Sequence, residues 1–187
     1  KDSIIIAIAN LIAYPNHSIA KNILNIVRLL KVNFKYKIII RPHPANRNIF
    51  NQNNFPDLFN YVYNDKRIKI DFNDNYLDSY KKSILMITDL SGTAYTYSFL
   101  TNSPVLFFSR NEKEAKKNYS NLKHFEDRKK IGKVITDLKD LKISILNLIK
   151  NKNNFKKKIS ILRNNRLDFL GTSQKRFVKL INQIDAN

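Results

Sequence analysis

Lys81-Lys-Ser-Ile-Leu-Met-Ile-Thr-Asp-Leu-Ser-Gly-Thr-Ala-Tyr-Thr-Tyr-Ser-Phe-Leu-Thr-Asn-Ser-Pro-Val-Leu-Phe-Phe-Ser109 decides how the rest of the chain is read. The apolar run Ile84 to Thr88 does not alternate, which predicts a strand buried on both faces. Asp89 to Thr93 is a turn of small and hydroxyl residues. Ala94 to Leu100 follows as a helix, and Val105 to Phe108 as a second buried strand. Far upstream, Arg41-Pro42-His43-Pro44 stands directly after Ile38-Ile39-Ile40. In both segments a strand ends and polar groups appear at its carboxyl end, the edge of an open parallel sheet where ligands bind.

Outward from these two points the chain alternates. Ser3 to Ala9 is another continuous apolar run. Ile19 to Val32 carries Ile19, Ile23, Ile26, Val27 and Leu30 at helical spacing behind a Ser18 cap. Tyr36 to Ile40 reads as a strand. Asn46 to Asn64 is irregular, with a short helix around Phe55 to Tyr63. Arg67 to Phe72 reads as a strand nearer an edge, and Asp74 to Lys82 as a helix with Tyr76, Leu77 and Tyr80 on one side. Asn111 to Lys130 reads as a charged loop with helical pieces, anchored by Tyr119, Leu122 and Phe125. Gly132 to Ile135 is a short last strand. Three helical patterns close the chain and turn inward Leu138, Leu141, Ile145 and Leu148, then Phe155, Ile159 and Leu162, then Phe177, Leu180, Ile181 and Ile184. Lys150 to Lys158 reads as a charged hinge. The expected fold is α/β: a Rossmann-like parallel sheet sandwiched by helices, in one domain over residues 1–187 with a helical part from about 138.

The 187 residues suffice for one full core, and 43% apolar content fits a globular chain. Without cysteine there is no disulfide, thiolate metal site or cysteine nucleophile. No apolar run approaches a membrane span. A chain that opens at Lys1 reads as a fragment of a longer protein. The net charge is +19, and its surplus is uneven. Residues 110–187 hold 21 basic and 8 acidic residues, against 13 and 7 before them. Such a field attracts nucleic acid, phosphorylated substrates or an anionic membrane. It equally describes a solvated Lys- and Asn-rich surface.

Ser91-Gly92-Thr93 offers backbone N–H groups, the positive end of a helix and two hydroxyls, which together suit a phosphate. An ordinary capped helix, with Asp89 or Ser91 bonded to backbone amides, fits the same spacing. The glycine spacing and lysine of a Walker loop are absent. His43, held between two prolines, can donate to a phosphate, act as acid or base, or bond only to its own loop. Arg41 beside it points to the other side of the strand end. His17 and His124 read as surface residues, and the histidines and aspartates have no metal-ligand spacing. Lys156-Lys157-Lys158 with Arg163 and Arg166 lacks the interleaved aromatics of a base-stacking surface and reads as a solvated helix face.

Together, Arg41-Pro42-His43-Pro44, Ile87-Thr-Asp-Leu-Ser-Gly-Thr93 and Asn102-Ser-Pro-Val-Leu-Phe-Phe108 resemble the carboxyl-terminal domain of the CDP-glycerol glycerophosphotransferases of teichoic acid synthesis. Ile131-Gly-Lys-Val134 is similar to that family's Pro-Gly-x-Val segment. Leu90 stands where the family has Tyr, and Gly92 where it has a second Ser. A histidine–proline motif paired with a Ser/Thr motif also marks bacterial sialyltransferases and capsule Kdo transferases. The resemblance spans about residues 36–136 and implies half of a two-domain glycosyltransferase-B fold. It implies a nucleotide-activated donor, CDP- or CMP-linked, and no separate cofactor or metal. His43 and Asp89 would take the catalytic positions, Asp89 also shaping the turn. Arg41, His43, Ser91, Gly92 and Thr93 would line the donor phosphate pocket. The expected partners are an anionic or lipid-linked acceptor, an acceptor-binding domain amino-terminal to these residues, and peripheral contact with the anionic inner membrane from the cytoplasm. A non-catalytic nucleic-acid or polyanion-binding module using the basic carboxyl-terminal helices is the alternative. A sugar-nucleotide epimerase of the same architecture is a second, and it needs further carboxylates in the cleft.

Overall fold

The computed structural model describes residues 1–119 and 124–184. Six strands form one parallel sheet: β1 (Ser3–Ile8), β2 (Lys37–Pro42), β3 (Ile68–Ile70), β4 (Ser83–Thr88), β5 (Val105–Phe108) and β6 (Gly132–Ile135), in the order β3-β2-β1-β4-β5-β6. Ile5 pairs with Ile39 on one side and Met86 on the other, so every side chain of β1 is buried. Non-alternating apolar runs are the sequence form of that burial.

One face of the sheet carries Ile4, Ile6 and Ile8 against α1 (Ile23–Asn33), α2 (Pro56–Val62) and α7 (Leu141–Lys150). The other carries Ile5, Ala7 and Met86 against α3 (Leu77–Lys82), α4 (Thr93–Thr101), α6 (His124–Ile131) and α8 (Lys152–Arg166). The remaining helices are α5 (Glu112–Asn118) and α9 (Ser173–Ile184). Gly132 opens β6 against β5 so closely that a Cβ would lie 1.7 Å from the Val105 carbonyl oxygen.

Several boundaries differ from the sequence pattern, each for a physical reason. The third strand shrinks to three residues, because Asp71 turns inward to Arg41 after its amide has bonded to Ile40. The first helix opens with a 3-10 turn over Ile19–Asn22, capped as expected by Ser18. The charged stretch after Asn111 holds two helices, α5 and α6; Leu122 and the side chain of His124 lie outside the described residues. Lys150 to Lys158 is no hinge, since Asn151 alone separates α7 from α8. Arg163 fixes α8 to the Phe99 carbonyl at 2.9 Å, and Arg166 fixes it to Asp127 through two hydrogen bonds. Asp127 also accepts from Tyr95 on α4. The apolar stripe of α9 forms on the expected spacing but does not turn inward: no residue of α9 is buried.

Candidate functional site

The chain runs from β1 outward to β2 and β3, then returns to β4 on the other side of β1. The carboxyl ends of β1 and β4 therefore diverge at a topological switch point, where an open α/β sheet leaves a crevice. A cleft of about 560 Å³ lies there, bounded by Asn10 and Tyr14 after β1, His43 after β2, and Ser91, Gly92 and Thr93 after β4. Another groove, of about 620 Å³, runs between β3 and α3. It lies at the sheet's edge without the convergence of strand ends and helix start that defines the first.

His43 is exposed, and its backbone amide donates to Ile8 at 3.0 Å. Its Nδ1 accepts from the Ala45 amide at 3.1 Å. Nδ1 is therefore the unprotonated nitrogen of the neutral ring, and Nε2 carries the proton as a donor. The local bond that would account for this histidine structurally also fixes the tautomer that a phosphate needs.

Across the cleft, Gly92 caps α4 in ordinary right-handed geometry, and a Cβ there would meet nothing within 4 Å. The Thr93 amide makes one long bond to Ser91 Oγ, at 3.4 Å. The Thr93 hydroxyl meets the Tyr80 phenol, which burial holds protonated by raising its pKa. With Tyr80 as donor, the Thr93 hydroxyl hydrogen is left for a ligand. Spacing gave Tyr80 only as a helix-face residue. Its polar end had no signal in the sequence.

Asp89 is placed otherwise. Its carboxylate is 1% exposed and does not line the cleft. It accepts from the Ala9 amide at 3.1 Å and the Ile19 amide at 2.9 Å, so it clamps both ends of the loop between β1 and the first helix. Burial pushes the carboxyl up to about 6 against the pull of those amides. The geometry is that of a brace, and a catalytic role for Asp89 has no contact to support it. Asn46, which the sequence did not single out, completes the clamp: it donates to the Ala9 carbonyl at 2.8 Å and accepts from Leu11 at 2.9 Å. Arg41 borders the cleft, but its guanidinium is bound to Asp71 at 2.8 Å and to the Asn73 carbonyl. Burial raises the Asp71 pKa, yet Ser79, the Asn73 amide and Arg41 outweigh it and hold the carboxyl below the usual range. Arg41 thus contributes charge beneath the floor more than a free hand to a ligand. His17 is half-buried, edge-on to Tyr119 at 5.8 Å, rather than a free surface residue. Among the described residues no group of three His, Asp or Glu could hold a metal ion.

The fold is a Rossmann-like parallel sheet with its crevice at the switch point. Particular solved structures share it. A variant of the wall teichoic acid polymerase TagF, soaked with CDPG, matches with a TM-score of 0.59 at 21% identity, over 98% of this chain and 42% of its own. The UDP-GlcNAc 2-epimerase of Methanocaldococcus jannaschii, in complex with UDP-GlcNAc and UDP, matches at 0.55 and 19%, over 87% of this chain and 44% of its own. TarM matches at 0.55 and 14%, over 97% and 35%. The chain thus spans less than half the length of these structures. No protein-family model and no curated protein matches it.

Proposed function

We propose that this chain is the donor-binding half of a transferase that builds a teichoic-acid-like or other surface polymer from a cytidine-nucleotide donor, CDP-glycerol or a CMP- or CDP-linked sugar. The observation that carries this reading is the convergence on one cleft of a histidine with Nε2 fixed as donor and the amino end of α4 with its two hydroxyls. That arrangement offers neutral donors and a helix dipole to the nucleotide phosphates. An acceptor hydroxyl would attack the transferred group, and the bond to the departing nucleotide would break. The charge that develops on the nucleotide phosphate would meet His43 Nε2–H, the Ser91 and Thr93 hydroxyls and the Gly92 amide. We assign the base that takes the acceptor's proton to an acceptor-binding half, because the chain spans less than half of the structures it matches. The positive surplus suits an anionic or lipid-linked acceptor at the inner face of the membrane.

An epimerase reading has the likeness to the UDP-GlcNAc 2-epimerase in its favour. It calls for several carboxylates in the cleft, and among the described lining residues Asp74 alone is acidic, already bound to Arg47 at 2.9 Å. Calorimetric titration with CDP, CMP, UDP and inorganic phosphate separates the readings. Cytidine-selective binding, lost in His43→Ala and in Ser91→Ala/Thr93→Ala, is expected. Preference for UDP would turn the assignment toward the epimerase. Oligonucleotide binding that survives His43→Ala, with no mononucleotide binding, would turn it toward a polyanion-binding module.

A further inference from the structure

Arg128 on α6 is 1% exposed, yet it carries a full charge into the core behind the turn that opens α4. Its guanidinium lies between two aromatic rings, 4.8 Å from the centre of Phe107 on β5 and 4.7 Å from that of Phe125. One Nη donates to Glu112 Oε2 at 2.9 Å and the other to the Asp89 carbonyl at 3.2 Å. Nε is buried and finds no partner among the described residues. Burial pulls the Arg128 pKa down, and the carboxylates of Glu112 and Asp89 oppose that pull.

Bracing alone does not call for an arginine here. A methionine or leucine between Phe107 and Phe125 would pack α6 against β5 without desolvating a cation, and exchanging a buried ion pair for apolar residues is often neutral or stabilising. The arginine adds a donor for the Asp89 carbonyl and a positive charge, and the place of that charge is specific. The chain covers at most about 3.8 Å per residue, so Ser91 Cα lies within about 10 Å of the guanidinium. Arg128 does not line the cleft, so its charge acts through the turn rather than by contact. Along so short a buried path it is screened far less than a surface charge. Without it, Asp89 and Glu112 would leave carboxylates alone behind the amino end of α4, which opposes an anionic ligand. Arg41, the other buried arginine at this edge of the sheet, is already bound to Asp71.

We propose that Arg128 is a positioning residue of the donor site: it holds the 89–91 turn by the Asp89 carbonyl and keeps the amino end of α4 positive for the ligand's phosphates, with Glu112 as the counter-charge that tempers it. This rests on the donor reading above. It adds to that reading a residue outside the cleft that favours ligands by their phosphate charge.

Calorimetric titration with CDP at pH 7.5, and displacement of CDP by neutral cytidine, test it in the parent and three variants. Arg128→Met should weaken CDP about tenfold, as expected for a unit charge about 10 Å away at an effective dielectric of about 20. Cytidine affinity should not move. Arg128→Lys keeps the charge and should bind CDP within about threefold of the parent, the remainder being the lost fork of donors. Glu112→Gln should act in the opposite sense and tighten CDP about threefold, because its amide oxygen can still accept from Arg128 while the cation is no longer neutralised. The Glu112 side chain is 15% exposed and the exchange keeps its shape, so this variant reports even if Arg128→Met fails to fold. A residue that only held the fold together would weaken CDP and cytidine alike, and no variant would tighten either. Equal losses for CDP and cytidine in Arg128→Met, or CDP affinity that Glu112→Gln lowers or leaves unchanged, would overturn the proposal and leave the donor reading standing. A parent that binds no CDP would overturn both.

Discussion

Asp89 and Asn46 on one side, and His43, Ser91, Gly92 and Thr93 on the other, stand at the same carboxyl edge of the sheet. The first pair is buried, and its hydrogen-bonding capacity closes on Ala9, Leu11 and Ile19. The second group lines the cleft with an Nε2–H, a helix end and two hydroxyls that each make one bond within the chain, Ser91 with the Thr93 amide and Thr93 with Tyr80. The first pair sets the position of the loop that walls the cleft; the second is what a ligand would touch. A motif read as one functional unit therefore divides, by where its hydrogen bonds are made, into a frame and a contact surface. The two halves should fail differently when changed.

The two glycines nearest these motifs give the sharpest form of that contrast. Gly132 faces the Val105 backbone at a distance no Cβ tolerates, and neither partner is a flexible side chain. Gly132→Ala should force β6 away from β5 and lower stability by about 3 kcal/mol or more, with ligand binding lost only as the fold is lost. Chemical denaturation followed by far-UV circular dichroism measures this. A variant as stable as the parent would show that β6 is not seated as described.

Asp89→Asn should have the next largest effect. The amide oxygen can still take one of the two backbone donors, but its NH2 confronts the other, and an unmet buried donor costs about 1–3 kcal/mol. The pH profile adds a second signature. The folded pKa, about 6, lies above the unfolded value of 3.8, so the folded state holds this proton more tightly. Its contribution to stability is full below about pH 4, declines as pH rises toward 6, and is lost above that. Asp71 moves in the opposite direction, its folded pKa being lowered, so the profile of the protein alone is a sum. The difference between parent and Asp89→Asn isolates the buried carboxyl. A difference curve flat between pH 4 and 6 would mean that Asp89 is not desolvated.

His43→Ala reverses the pattern. The ring is exposed and its one side-chain bond is local, so stability should stay within about 0.5 kcal/mol. Loss of a hydrogen bond to a charged phosphate should weaken nucleotide binding about tenfold or more. Full affinity retained by this variant would remove His43 from the contact surface.

How much of this could be read from the residues follows the same division. Ser3–Ile8 and Val105–Phe108 announce their burial through unbroken apolar runs, so the parallel sheet and its flanking helices were legible. The strand-end position of Arg41, His43 and Ser91 follows from where the apolar runs at 38–40 and 84–88 stop. Which polar side chains turn inward was not legible. Inward and outward rotamers of Asp89 have the same spacing, and the Asn46 brace acts between residues 35 and 37 positions apart. The stripe of α9 shows the other gap, because helical periodicity defines a face without saying what covers it. Ile159 and Leu162 on α8 have the same pattern and are buried, since Arg163 and Arg166 pin that helix to Phe99 and Asp127. No residue of α9 is buried.

Gly92→Ala is the smallest perturbation and the cleanest separation of frame from contact. The residue sits in right-handed helical geometry, so a side chain brings no backbone strain, and its Cβ enters open space. Alanine caps a helix worse than glycine but is the better helix former by about 0.8–1 kcal/mol, and with Gly92 in helical geometry the two effects offset to within about 0.5 kcal/mol. If a phosphate approaches the amino end of α4 at hydrogen-bond distance, however, the added methyl group occupies the space that ligand needs. Nucleotide affinity should then fall several-fold while the melting curve is superimposable on the parent's. The two effects can be read from one preparation, by calorimetry and thermal denaturation. If affinity were unchanged, the ligand's phosphate would have to lie toward His43 and the β1 loop rather than against the helix end. The neighbouring Ser91 and Thr93 hydroxyls would then be caps of α4 and nothing more.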